Sequence, residues 1–211
     1  QRFFKTGKGE YGEGDIFLGI KVPIQRKLCK KYDLSLKDIQ MLLDSKIHEH
    51  RLCALFLLID KYKKNEKLKD KIFNFYIKNA KKINNWDLVD ISAPHIVGNY
   101  LIDKQDKRIL YLLAKSKNLW KKRIAIVSTH YFIKNNRFGE TLEVAEILLN
   151  DSHDLIHKAV GWMLREVGKR DEKALENFLK KHYENIPRTT LRYSIEKFPE
   201  FKRKKVLVGE W

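Results

Sequence analysis

Three stretches of this chain share one layout: HRLCALFLLIDKYKK, KKRIAIVSTHYFIKN and HKAVGWMLREVGKRD. Each opens on basic residues and continues into an apolar segment with helical spacing. Arg123 falls two periods after Arg51, and Lys158 falls one period after Arg123. A basic residue therefore returns at one helical phase. A period of this length with paired helices points to an α-solenoid of HEAT type, in which each pair buries its apolar face only by stacking on its neighbours. No convincing run of alternating apolar and polar residues argues for a sheet. The expected fold is all-α: antiparallel helical pairs stacked as HEAT-like or ARM-like repeats, in a single domain over residues 1–211.

The local signals agree. Ser35 reads as an N-cap for the apolar residues that follow it. Further helices are expected over His50–Lys64, Lys67–Lys81, Trp86–Tyr100, Lys107–Ser116, Leu119–Lys134, Glu140–Leu149, Leu155–Lys169, Glu172–His182 and Pro187–Phe198. Short polar links between them imply antiparallel neighbours. Glycines crowd the stretch TGKGEYGEGDIFLG, which reads as a loop. Residues 1–22 are expected to be a Gly-rich N-terminal segment that starts short of the native beginning. Residues 199–211, with the run FKRKK, read as a solvated basic tail that adds non-specific affinity for polyanions.

The formal net charge is +17. Such an excess favours a polyanionic partner, either nucleic acid or an anionic membrane surface, although a lysine-rich composition also serves plain solubility. The longest apolar run, Leu52–Ile59, is too short to span a bilayer. Cys29 and Cys53 follow no disulfide or metal spacing and read as buried free thiols, which fits a reducing cytoplasm. His153 and His157 are spaced i, i+4 without an acidic partner, so they read as surface histidines rather than zinc ligands.

In a repeat frame, Arg51, Arg123 and Lys158 line one wall with positive charge, which suits phosphate oxygens of a duplex backbone. One period after Arg51 falls Asp87, inside NNWDLVD at residues 84–90. Asn85 is a good N-cap, so Trp86 opens a helix. Asp87 then sits in the first turn and complements the helix dipole. Asp90 lies four residues after Trp86 and shares its face, while Leu88 and Ile91 can face the core. A carboxylate against an indole is a poor way to bind a polyanion. It is sensible beside a cationic species, or as half of an internal salt bridge. Trp162, four residues after Lys158, falls where the frame expects an apolar core position.

The blocks FLGIKVP, NWDLVDISAPHIVG, LWKKRIAIVSTHYFI, DLIHKAVGWMLREVGKRD and PRTTLRYSIEKF resemble, in order, the AlkD-type DNA alkylation repair proteins, which are HEAT-like DNA glycosylases. The resemblance runs from the first residues to about Phe198. It implies that Asp90 is the catalytic carboxylate and that Trp86 and Trp162 pack against the lesion nucleoside. It also implies that Arg123 holds the DNA backbone near the lesion. Phe3 lies where the family can place a tyrosine beside the site. Arg51 and Lys158 extend the backbone-binding wall.

The chemistry implied is hydrolysis of the N-glycosidic bond of cationic N3- or N7-alkylated purines in double-stranded DNA, with the lesion kept in the duplex. The alkylated base already leaves readily, so Asp90 would stabilise the oxocarbenium-like sugar and orient water. No metal, nucleotide or other cofactor is required. No lysine stands out as a Schiff-base nucleophile, so a monofunctional hydrolase is expected, acting as a monomer near the nucleoid and not on membranes. The alternatives are a HEAT-repeat protein that binds damaged or branched DNA without excising bases, and a helical scaffold whose charge is incidental.

Overall fold

The computed structural model describes residues 4–211, and among them the regular elements are helical. They are α1 (Val22–Cys29), α2 (Leu36–Leu43), α3 (His48–Lys64), α4 (Lys69–Lys78), α5 (Trp86–Ala93), α6 (Asn99–Leu101), α7 (Arg108–Ala114), α8 (Leu119–Ser128), α9 (His130–Lys134), α10 (Gly139–Leu148), α11 (Asp154–Gly168), α12 (Glu172–His182), α13 (Arg188–Ser194) and α14 (Glu200–Leu207). The all-α expectation is met. β-type pairing among the described residues is confined to an isolated parallel bridge between Ile16 and Ile47. The chain divides into two compact units, with the boundary between Tyr100 and Leu101.

In the first unit α3 is the central helix, and α1, α2 and α5 pack on it. Its sequence dictates this place. Leu52, Ala54, Leu55, Leu57, Leu58 and Tyr62 are all buried, and a helix apolar around most of its circumference needs neighbours on several sides. Ser35 starts α2 with a full capping box: its hydroxyl accepts from the Asp38 N–H, and the Asp38 carboxylate accepts from the Ser35 N–H. Such a cap contributes about 1 kcal/mol.

The glycine-rich N-terminal segment is folded onto the start of α3. Gly9, Gly14 and Gly19 adopt φ of 79°, 83° and 79°, a region costly for other residues. The Ile16 N–H donates to Lys46 O at 3.1 Å, and the His48 N–H donates to Ile16 O at 2.8 Å. Glu49, buried in the first turn of α3, accepts from the N–H groups of Leu18 at 3.0 Å and Gly19 at 2.8 Å. Burial opposes the Glu49 charge, but these backbone donors hold its carboxyl below the usual range.

Two long predicted helices are interrupted for identifiable reasons. The segment expected over Trp86–Tyr100 gives way at Pro94, which has no N–H to continue the ladder, to a π-helical turn over Pro94–Gly98. The segment expected over Leu119–Lys134 breaks at Thr129, where the Ser128 and Thr129 hydroxyls donate back to the carbonyls of Ile124 and Ile126. Such side-chain bonds compete with the helical ladder.

In the second unit α11 is central and packs on α8, α10, α12 and α13. It approaches α13 closely at Gly161. A Cβ there would stand 2.5 Å from Tyr193 Cβ and 2.7 Å from Thr190 O. His153 and His157 belong to the start of this helix. His153 Nδ1 accepts from the Leu155 N–H at 3.1 Å, and His157 Nε2 bonds the Asp151 carbonyl.

The C-terminal residues depart from the expectation of a solvated tail. Pro199 precedes α14, whose Val206 is buried, and Lys202 pairs with Glu172 and Glu176 of α12. Trp211 lies edge-on to Tyr183 with centroids 5.9 Å apart. Apolar burial and these ion pairs dock the segment, so part of its positive charge is neutralised locally.

The α11–α13 contact yields a stability prediction. Gly161→Ala gains helix propensity but forces backbone and Cβ apart, and overpacking of this kind costs about 1–3 kcal/mol. Thermal melts are expected to show a fall of several degrees. An unchanged or raised midpoint would mean that α13 shifts without cost.

Candidate active site

The start of α5 is built by its own sequence. The Asn85 side chain accepts from the Trp86 N–H at 2.8 Å and opens the helix. Leu88 and Val89 are fully buried, and this sets the helix roll. With these two inside, Trp86 and Asp90 are both half-exposed, one turn apart on the same helix face. Beneath them Ser92 Oγ donates to Leu88 O and lies 2.8 Å from the hydroxyl of the fully buried Tyr76. Burial pushes the Tyr76 phenol up, and the negative charge of Asp90 adds to it.

Trp86 is one member of an aromatic group. Phe4 stacks on it with centroids 5.4 Å apart and planes 24° apart. Phe4 also stacks on Phe17 at 4.8 Å, and Phe17 on the His48 imidazole at 4.7 Å. Phe3, the residue expected beside the site, lies outside the described residues. Its neighbour Phe4 packs against the indole.

Next to this group is a network of buried charge. His48 Nε2 donates to Asp87 Oδ2 at 2.8 Å, and His48 Nδ1 lies 3.7 Å from Asp15 Oδ2. Arg51 Nη2 approaches Asp15 Oδ2 to 2.7 Å, and Arg51 Nη1 donates to Ser45 O at 2.8 Å. Burial disfavours a charged imidazole, but the nearby Asp15 carboxylate and the bonded Asp87 carboxylate outweigh it and hold His48 above its usual value. Burial likewise opposes ionisation of Asp15, yet His48 and Arg51 hold it below the usual carboxylate range. Asp87 also accepts from the Leu88 N–H at 2.9 Å, so it serves the helix start and the imidazole together.

The other expected residues fall as follows. Arg51 is 4% exposed, and it lines an open cleft of about 450 Å³ with Lys46, Lys81 and Lys82 and with the carboxylates of Glu13, Asp15 and Asp44, the last paired with Lys82. In the second unit the buried Arg123 donates from Nη1 to Leu155 O at 2.7 Å, tying α8 to the first turn of α11. Lys158 is 2.7 Å from Asp154, one turn earlier. Trp162 is half-exposed on α11, its ring 5.6 Å from that of His130. Arg51, Arg123 and Lys158 all stand near the starts of their helices, as the sequence period implies. The groups that sequence reasoning missed are Asp15, Phe4, Phe17 and His48. The one signal for His48 is its position roughly one repeat period before Asp87. Among the described residues no group of three or more His, Cys, Asp or Glu could hold a metal ion. Among the described residues no helix is long and apolar enough to cross a membrane.

The all-helical framework matches a known architecture. The fold is similar to that of a solved structure described as a predicted DNA alkylation repair enzyme from Enterococcus faecalis. The TM-score is 0.73 at 18% identity, covering 90% of this chain and 92% of that one. The family model for DNA alkylation repair enzymes matches residues 1–198, and the chain belongs to that family. No curated protein sequence matches it.

The charge network has a testable pH signature. His48 binds its proton more tightly folded than unfolded, so its contribution is complete below the unfolded value of about 6.5. That contribution is lost as pH rises through the higher folded value. In melts followed between pH 6 and 9, the wild type is expected to lose more stability on alkalinisation than His48→Gln. Parallel profiles would show that His48 is neutral in the fold.

Proposed function

We propose that this protein is a monofunctional DNA glycosylase that hydrolyses the N-glycosidic bond of N3- or N7-alkylated purines in double-stranded DNA. Membership of the DNA alkylation repair enzyme family supports a role in alkylation repair. The observation that carries the finer reading is the half-exposed Asp90 carboxylate one turn from the half-exposed Trp86, in a chain of net charge +17. A carboxylate weakens the attraction of a basic surface for phosphate but stabilises a positive partner at the moment of reaction.

The substrate supplies that partner. A purine alkylated at N3 or N7 is positively charged and departs without prior protonation. As the bond to C1′ lengthens, positive charge spreads over the deoxyribose. Asp90 stabilises that charge and holds the water that attacks C1′. The proton of the attacking water passes toward the carboxylate, and the base leaves neutral. The face of Trp86 is electron-rich and suits a cationic nucleoside. Phe4, stacked on Trp86, fixes the indole plane. Lys158 and the lysines of the cleft beside Arg51 attract backbone phosphates and carry no base preference, while the buried Arg123 orients the first turn of α11. The chemistry draws on no cofactor, and the protein acts as a single chain on cytoplasmic DNA.

Release of 7-methylguanine from methylated duplex tests this reading. Asp90→Asn is expected to lower the single-turnover rate by about 10²–10³-fold, as does the loss of other preorganised electrostatic groups. Duplex affinity should remain or rise, since a negative charge is removed. Tight duplex binding with no release by either protein would favour a binder of damaged or branched DNA.

A further inference from the structure

The first unit contains a cavity of about 430 Å³ whose lining includes neither Trp86 nor Asp90. It opens among α1, α3 and α5. Arg26, Lys30 and Lys63 stand around it, all exposed, and none of the three has an ion pair among the described residues. Phe56 and Ile59, each 8% exposed, and the half-buried Ile91 give it an apolar floor. The lining carboxylate, Asp60, is already paired with Lys64 at 2.9 Å. The Arg26 guanidinium lies 4.6 Å from the Phe56 ring centroid. Stacking fixes the guanidinium plane and leaves its edge N–H groups free for an oxygen anion.

Three cations over an apolar floor call for a ligand with both characters. A cavity of this size typically encloses a small organic molecule, so a bare inorganic anion would fill only a corner of it. We propose that the cavity binds the phosphate of a nucleotide on Arg26, Lys30 and Lys63, with the sugar and base against Phe56, Ile59 and Ile91. The nucleotide either belongs to a DNA strand or is free. The strand source rests on the DNA-processing reading above. It places one more phosphate contact on α1, a helix that the sequence period does not include.

The test uses Arg26→Gln/Lys30→Gln/Lys63→Gln in the full chain. A charge-matched control, Lys37→Gln/Lys67→Gln/Lys71→Gln, removes exposed lysines from outside the cavity. Anisotropy with a labelled, undamaged duplex gives log K against log salt concentration for each protein. Loss of one phosphate contact is expected to reduce the slope by about one. The control should keep the wild-type slope. In parallel, calorimetry measures binding of dAMP. A reduced slope for the cavity variant alone supports the site with the strand as source. An unchanged slope with dAMP binding that only the cavity variant loses supports the site with a free nucleotide as source. An unchanged slope with no dAMP binding, or equal changes in both variants, overturns it. Undamaged DNA isolates this result from excision: a protein that releases no base still shows the slope.

Discussion

An imidazole buried between two carboxylates is the contact on which the first unit's functional face depends. His48 touches Asp87 at the start of α5 and Asp15 of the N-terminal segment, and it stacks on Phe17. Three pieces of chain far apart in sequence are thereby held at one point. Removing either carboxylate leaves a buried cation short of a partner, which is costly, whereas the intact set is close to neutral. Arg51 completes the balance through Asp15. The arrangement also explains why the glycine-rich segment is ordered: Asp15 and the N–H groups of Leu18 and Gly19 are all engaged by α3.

The same contact places the groups with chemistry. Asp87 fixes the first turn of α5 through Leu88 N and His48, and the buried Leu88 and Val89 fix its rotation. Trp86 and Asp90 are what remain on the outer face. Phe4 then stacks on Trp86. A rigid indole beside a carboxylate is a preorganised environment for a cation, which is the condition for electrostatic stabilisation to act on a rate.

Much of this is legible in the sequence, and the exceptions have physical causes. The limits of α12 can be read directly because Asp171 caps it and its pattern is cleanly amphipathic. The recurrence of Arg51, Arg123 and Lys158 near helix starts follows from the repeat period. The end of α5 is harder to place, because the apolar pattern continues through Pro94 while the missing N–H converts the ladder to a π turn. The C-terminal run FKRKK is basic enough to suggest a solvated tail, while the single apolar Val206 and the acids on α12 decide its docking. For Asp87 the sequence suggests the helix dipole alone. Its imidazole partner sits on another helix and is visible only when the two helices are laid side by side.

The central claim is that Asp90 serves the release of a base that is cationic while it is attached to the sugar. The most direct measurement compares single-turnover release of 7-methylguanine and of hypoxanthine from otherwise identical duplexes. The account predicts release of the cationic base and none of the neutral one, because a neutral base departs only after protonation and Asp90 acts as a carboxylate. Equal release of both would contradict it and require a general acid.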